Sequence, residues 1–184
     1  MELTQPKVFK IVNTTRNDLD TILWMFKQAM KLQGRNGYKV WEAIDQTGLE
    51  RDIDKGLQYK IVQDNNITCV FSIQFNDPFI WGEKDRDHAI YLHRIVVNPN
   101  FKGLKQFQKV LDWACNFALQ HHLQFVRMDT WADNSKIIEY YKSFGFEFIE
   151  NYQTTNEMEL PIQNRNLNVA LLQLELDNNL HKRR

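Results

Sequence analysis

The stretch that decides the fold is RIVVNPNFKGLKQFQKVLDWA, Arg94 to Ala114. Its apolar run ends at Asn98-Pro99, Gly103 follows, and a helical pattern then begins. A strand feeding a helix through a short loop leaves free backbone N–H groups at the helix start. Together with the helix dipole they make an anion site. Lys102, Lys105 and Lys109 lie there, with no acidic residue before Asp112. Cations at a helix N-terminus cost about 0.3–1 kcal/mol each. Either these lysines point into water or an anion sits among them. A Walker phosphate loop and a GxGxxG dinucleotide loop are both absent.

Reading outward, HAIYLHRIVV is a long strand and Gly103–Gln120 a long helix. QFVRMDT is a strand, NSKIIEYYKSF a helix and FEFIENY a strand. After a polar loop, 153–166, NVALLQLEL is the last strand. Toward the N-terminus, residues 7–13 read as a strand. In NDLDTILWMFKQAMKL, Leu19, Ile22, Leu23, Phe26 and Met30 recur at helical spacing, with Asn17 or Asp18 as N-cap. GRNG stops that helix, and a weaker helical region covers about 40–55. LQYKIVQ and ITCVFSIQF form a hairpin around Asp64-Asn65-Asn66. DPFIWGEKDRD reads as a loop. The order β-α-α-β-β-β-α-β-α-β-β predicts a mixed sheet of about seven strands with about four helices. Its central pair is parallel through a right-handed crossover, and its hairpins are antiparallel. The class is α/β (α+β), and 1–184 reads as a single domain.

Bulk properties narrow the function. The 184 residues are 43% hydrophobic and 12% aromatic, a globular composition. Basic and acidic residues balance at 23 each, which argues against a nucleic-acid binder while allowing a local basic pocket. No run approaches the roughly 18 apolar residues of a membrane span, and MELTQPKVFK is no signal segment. Cys69 and Cys115 sit in apolar stretches and read as buried reduced thiols, so a reducing cytoplasm is the expected setting. The histidines show no metal spacing, His121-His122 read as surface, and no metal site is expected.

Three features near the central strands bear on chemistry. Asn134 lies near a helix start, where it can cap. Tyr141 is seven positions on, two turns later on the same face, and Gly145 fits the residue past the helix end. A core aromatic and a plain cap are the structural alternatives. Asp129 ends a strand whose carboxyl end is where ligands bind in open α/β sheets; a helix cap or a partner of Arg127 is its alternative. His93 can act as a general base near neutral pH or be a hydrogen-bonded core residue.

Together, LHRIVVNPNFKG followed by a helix, and N-x6-Y-x3-GF as Asn134, Tyr141, Gly145 and Phe146, resemble the GNAT superfamily of acyl-CoA-dependent N-acetyltransferases. The match covers about 88–150 well and the element order loosely. The resemblance implies central parallel strands that splay apart to admit acetyl-CoA as co-substrate. Main-chain groups of Ile95, Val96 and Val97 would face the pantetheine and thioester. The turn of Lys102, Gly103, Leu104, Lys105, Gln106 and Phe107 would cradle the pyrophosphate. Asn134 would contact the cofactor or hold the site, and Tyr141 would protonate the leaving thiolate. Asp129 stands where some members carry a basic Glu. The family loop, Gln/Arg-x-x-Gly-x-Gly/Ala, is replaced here by Lys102, Lys105 and Phe107. Lys105 then compensates with a charge-assisted phosphate contact, and the lysines of the opening stretch are there for a pyrophosphate.

The reaction so implied is direct attack by a primary amine, deprotonated through Asp129, His93 or a bound water. The oxyanion is held near Val96-Val97, and neither cysteine has a base partner for an acyl-enzyme. The acceptor is a small-molecule or a protein or peptide amine. Tyr38, Trp41 and Trp81 could line an aromatic pocket for it or pack as core. Neither a nucleic acid nor a membrane is an expected partner. A homodimer through the last strand is an open arrangement. The rival reading is a non-catalytic acyl-CoA-binding or regulatory module on the same fold. A further one is a cofactor-free interaction domain whose 102–107 loop is blocked by Phe107.

Overall fold

Among the described residues, seven strands form one sheet in the order β1-β2-β3-β4-β5-β7-β6. They are β1 (Phe9–Asn13), β2 (Gln58–Gln63), β3 (Asn66–Gln74), β4 (Ala89–Val97), β5 (Phe125–Trp131), β6 (Glu147–Gln153) and β7 (Asn168–Glu175). The helices are α1 (Leu19–Arg35), α2 (Gln46–Asp54), α3 (Pro78–Trp81), α4 (Gln106–Gln120) and α5 (Ser135–Lys142). This computed structural model describes residues 8–37, 40–41, 43–86, 88–160 and 164–176. No helix among them is long and apolar enough to cross a membrane.

Local chemistry accounts for the boundaries. The β2–β3 turn holds Asp64 at φ 49° and Asn65 at φ 60°, the left-handed pair that a tight hairpin requires and that short polar side chains tolerate. Asp45 caps α2 by accepting from the Gly48 N–H at 3.0 Å. Asp18 stands at the start of α1 but does not cap it. Its carboxylate accepts from the Thr15 N–H and from Lys60 Nζ, both at 2.7 Å. The expected loop at 77–87 contains α3 and a following 3₁₀ turn. Pro78 fits the first helical position, and Ile80 and Trp81 are buried beneath it. The long central helix begins at Gln106 rather than Gly103, because 102–105 is irregular and Lys105 takes φ 52°.

Helices cover both faces of the sheet. On one, Phe107, Val110, Leu111, Ala114 and Ala118 of α4 pack on Ile90, Leu92, Val126, Met128 and Leu172. On the other, Ile22, Met25 and Phe26 of α1 and Leu49 and Ile53 of α2 meet Val70 and Val96. Ile80 and Trp81 meet Ala89, Tyr91 and Leu171 on that second face. Each such side chain contributes about 1.5–3 kcal/mol by leaving water. The last strand, β7, lies between β5 and β6 and is antiparallel to both. It is therefore not an edge through which a second copy could pair, and the edges are β1 and β6.

The middle of the sheet opens. Strands β4 and β5 are parallel and pair only from Ala89↔Phe125 to Leu92↔Met128. Beyond that point β4 stays bonded to β3, and β5 to β7. The parting coincides with a bulge. Ser72 faces His93 while Val70 faces Val96, so β4 carries one residue more than β3 across the step. Arg94 absorbs it at φ 51°. A bulge bends its strand and raises the local twist, which swings the end of β4 away from β5. It also restores the face pattern, so Val96 points to the α1–α2 side as Tyr91 does to the α3 side.

Candidate active site

Where the strands part, two of the residues singled out in the sequence, His93 and Asp129, come together. His93 and Asp129 are the first residues past the last β4–β5 pair. His93 Nδ1 lies 3.7 Å from Asp129 Oδ1, and His93 Nε2 lies 3.4 Å from Asp77 Oδ2. All three side chains are largely buried. Burial, with Arg94 adding a like charge, pushes His93 down to about 4. Burial pushes Asp129 up to about 6. Asp77 is raised well above the carboxylate range by burial and by the neighbouring charges of Asp129 and Asp85. At neutral pH the imidazole is therefore neutral and Asp129 ionised, ready to accept a proton.

Asp77 is the site residue that sequence reasoning missed. The only local sign was an acid before a proline, the start of a short helix. Its approach to His93 depends on how α3 docks beside β4, which no periodicity records.

Tyr141 reaches the cleft from the opposite face. Asp129 shares its strand face with Arg127, whose guanidinium stacks 4.5 Å from the Trp81 ring on the α3 side. Tyr141 packs instead in the α4–α5 layer, 4.9 Å from the Phe107 ring. Burial raises the Tyr141 hydroxyl above its ordinary range, with Tyr140 and Asp129 adding repulsion. A phenol so placed stays protonated and can act as an acid. Asn134 accepts from the Ile137 N–H at 3.2 Å and so caps α5, the helix that carries Tyr141.

The turn of 102–107 departs from the expected blockage. Phe107 is 5% exposed, and its ring lies against Tyr141, Phe144 and Phe146. Its bulk thus fills the α4–α5 packing and does not cover the exposed turn. Lys105 holds the left-handed conformation that a glycine adopts without strain. Lys102 and Lys105 are exposed at the turn. Lys109 donates to Gln63 Oε1 at 3.3 Å and to Gln106 Oε1 at 3.4 Å, and sits 4.7 Å from the Phe9 ring centre. It is therefore engaged with β2 and with the first residue of α4, and Lys102 and Lys105 are the exposed lysines of the turn. Gln106 is buried with Nε2 lacking a partner among the described residues.

Beyond Leu92, the side of β4 that turns from β3 has no strand beside it. Main-chain groups of residues 93–97 on that side line the cleft. Of the aromatic residues weighed as an acceptor pocket or as core, the two described ones pack as core. Trp41 packs on Phe26, at 5.6 Å, beside the α1–α2 core, whereas Trp81 is buried with Tyr91 and Arg127. Tyr38 lies outside the described residues. Cys69 is buried, with its thiol pushed up to about 12 by desolvation, and Cys115 is raised to about 11. Neither forms a thiolate near neutral pH, so neither is a nucleophile.

Comparison with known proteins agrees with this architecture. The uncharacterized N-acetyltransferase YesJ of Bacillus subtilis is 24% identical over 140 residues, covering 72% of this chain and 78% of that protein. A GNAT-family acetyltransferase from Listeria monocytogenes superposes with a TM-score of 0.75 at 19% identity, over 93% of this chain and all of that one. YncA of Salmonella typhimurium, a putative acetyltransferase solved with its cofactor acetyl-CoA, gives 0.63 at 16% identity, over 92% and 94%. The model of the acetyltransferase (GNAT) family matches residues 25–146, more than half of the chain. With a mixed sheet parted between its parallel strands, the chain belongs to the acetyltransferase (GNAT) family and is an N-acetyltransferase.

Proposed function

We propose that the chain transfers an acetyl group from acetyl-CoA to a primary amine by direct attack in the cleft between β4 and β5. One observation carries this reading. Where the parallel pair separates, His93 and Asp129 lie 3.7 Å apart on one side of the sheet, and the Tyr141 phenol is buried on the other. Acetyl-CoA supplies an activated acetyl thioester and a thiol leaving group.

The residues divide the work. Asp129, with His93 beside it, takes a proton from the acceptor ammonium. Main-chain N–H groups near Val96 and Val97 stabilise charge developing on the acyl oxygen. Tyr141 protonates the departing sulfur. Asn134 holds the start of α5 and thereby the height of Tyr141. The exposed turn at 102–107 suits a pyrophosphate. Gly103 at φ 76° and Lys105 at φ 52° curl the backbone as a glycine-rich loop would. Lys102 and Lys105 add charge, and the unpartnered Gln106 Nε2 adds a buried donor beneath. Residues 1–184 act as one catalytic domain, working in a reducing compartment such as the cytoplasm with both cysteines as free thiols.

The test is transfer of labelled acetyl from acetyl-CoA to a panel of small-molecule and peptide primary amines. Wild type should acetylate at least one class. Tyr141→Phe should lose about a hundredfold in kcat. Undiminished transfer by Tyr141→Phe would remove Tyr141 from the acid role.

A further inference from the structure

Two carboxylates flank one imidazole where the strands part, and a third stands beside one of them. Asp77 and Asp129 approach His93 on its two ring nitrogens. Asp85 Oδ1 accepts from the Asp77 N–H at 2.6 Å and so stands directly beside Asp77. Cations near by are already engaged. Arg94 bonds Asp52 at 2.5 Å. Arg127 donates to Gln173, to the Lys84 carbonyl and to the Tyr91 hydroxyl. Tyr141 contributes no positive charge from α5. Asp77 Oδ2 is buried without a hydrogen bond among the described residues and lies 3.4 Å from His93 Nε2. Carboxylates so close together in a poorly solvated pocket cannot all ionise. The carboxylate oxygen that is buried without a partner, and so gains most from a proton it can donate to the facing ring nitrogen, is Asp77 Oδ2.

We infer that Asp77 is a positioning residue: it keeps its proton, donates it to His93 Nε2, and so fixes the His93 tautomer whose Nδ1–H faces Asp129. Asp129 is left as the single ionised carboxylate of the group, with one oxygen toward His93 and the other free for the acceptor. When the acceptor ammonium arrives, its N–H bond breaks and an O–H bond forms on Asp129. Asp77 and His93 keep their protons throughout. The contacts at 3.4 and 3.7 Å are longer than closed hydrogen bonds, as catalytic contacts often are before substrate binds. The direction of each shift agrees: Asp77 is raised by burial and like charge, and His93 is kept neutral. The catalytic part of this inference rests on the proposed acetyl transfer, whereas the tautomer does not depend on it.

The experiment is nitrogen NMR of the full chain labelled in histidine, from pH 6 to 8, with the His93 signals assigned by their loss in His93→Gln. Wild type and Asp77→Asn, whose amide can still donate to Nε2, should both show neutral His93 protonated on Nδ1. Asp77→Leu should show the Nε2–H form or a mixture. With an amine acceptor, Asp77→Asn should keep the acidic limb of kcat/KM in place. Asp77→Leu should lose up to about a hundredfold in kcat with the KM for acetyl-CoA unchanged. Wild-type His93 protonated on Nε2, or charged at pH 7, would overturn the inference. So would an acidic limb that drops by a pH unit in Asp77→Asn, since that would mean Asp77 is ionised. Should Asp77→Leu fail to fold, the wild type and Asp77→Asn decide alone. The expected tautomer in a protein that acetylates no amine would uphold the positioning of His93 and overturn the proposed function instead.

Discussion

His93 Nδ1 stands 3.7 Å from Asp129 Oδ1 across the point where two parallel strands part. In an unbroken pair these positions would be ladder neighbours, with their side chains standing parallel above the sheet. The bulge at Arg94 and the loss of pairing after Leu92 turn that neighbour relation into a site. The same two features leave main chain of β4 bare beside it. Fold defect and chemistry thus have one origin.

Asp129 should show the opposing demands of stability and function. Burial raises its pKa from 3.8 to about 6. An acid with a raised folded-state pKa binds protons on folding between those values, so stability falls as pH rises through that window and stays lower above it. Asp129→Asn should then stabilise the protein by up to about 3 kcal/mol at pH 8 and by little at pH 4. Acetyl transfer should fall sharply at pH 8, where Asp129 is ionised in wild type, and little at pH 4, where it is already protonated. Denaturant titrations at the two pH values check the first part, and a pH–rate profile rising through about 6 in wild type checks the second.

Arg94 and Asp52 form an ion pair whose side chains are 11% and 5% exposed, and Asp52 also accepts from Gln74 at 3.1 Å. Removing one member of a buried pair leaves an uncompensated charge, at about 3–5 kcal/mol. Asp52→Ala should lower stability by that amount in urea unfolding. It should also lower acetyl transfer, because Arg94 ties the bulge to α2.

Gly48 is fixed by the same neighbourhood. A Cβ there would lie 2.1 Å from Asp45 Oδ2 and 3.3 Å from Arg94 Nη2. Gly48→Ala should therefore displace the α2 cap and cost about 1–2 kcal/mol, although alanine is the better helix former. Thermal melts of the variant against wild type give the answer.

Lys105 carries a left-handed backbone and a proposed phosphate charge, and two substitutions separate them. Lys105→Gly should relieve strain and raise stability by about 1 kcal/mol. Lys105→Ala keeps the strain and removes the charge. It should weaken acetyl-CoA binding and flatten its salt dependence. An unchanged affinity at low salt in Lys105→Ala would take the side chain out of the site.

The sequence was most legible where chemistry is local. The β2–β3 turn at Asp64-Asn65, the α5 cap at Asn134 and the alternation of β5 were all readable from residue types and spacing. The motif from Arg94 to Ala114 placed a strand, a turn and a helix correctly, although Lys105 delayed the helix by three residues. What could not be read was tertiary. Arg94 at positive φ has no sequence signature, because arginine is not a residue chosen for that conformation. The docking of α3 that brings Asp77 to His93, and the turning of Lys109 toward Gln63, depend on contacts between distant segments. Phe107 looked like an obstruction only because its burial under α5 is invisible along the chain.

The central claim is that the parted strands and the lysine-bearing turn form an acetyl-CoA site. Calorimetric titration of acetyl-CoA into the protein, at low and at moderate salt, tests it most directly. Saturable binding near one equivalent, weaker at the higher salt, is the result this account predicts. No binding at high ligand concentration would contradict it and leave the shared fold without its co-substrate.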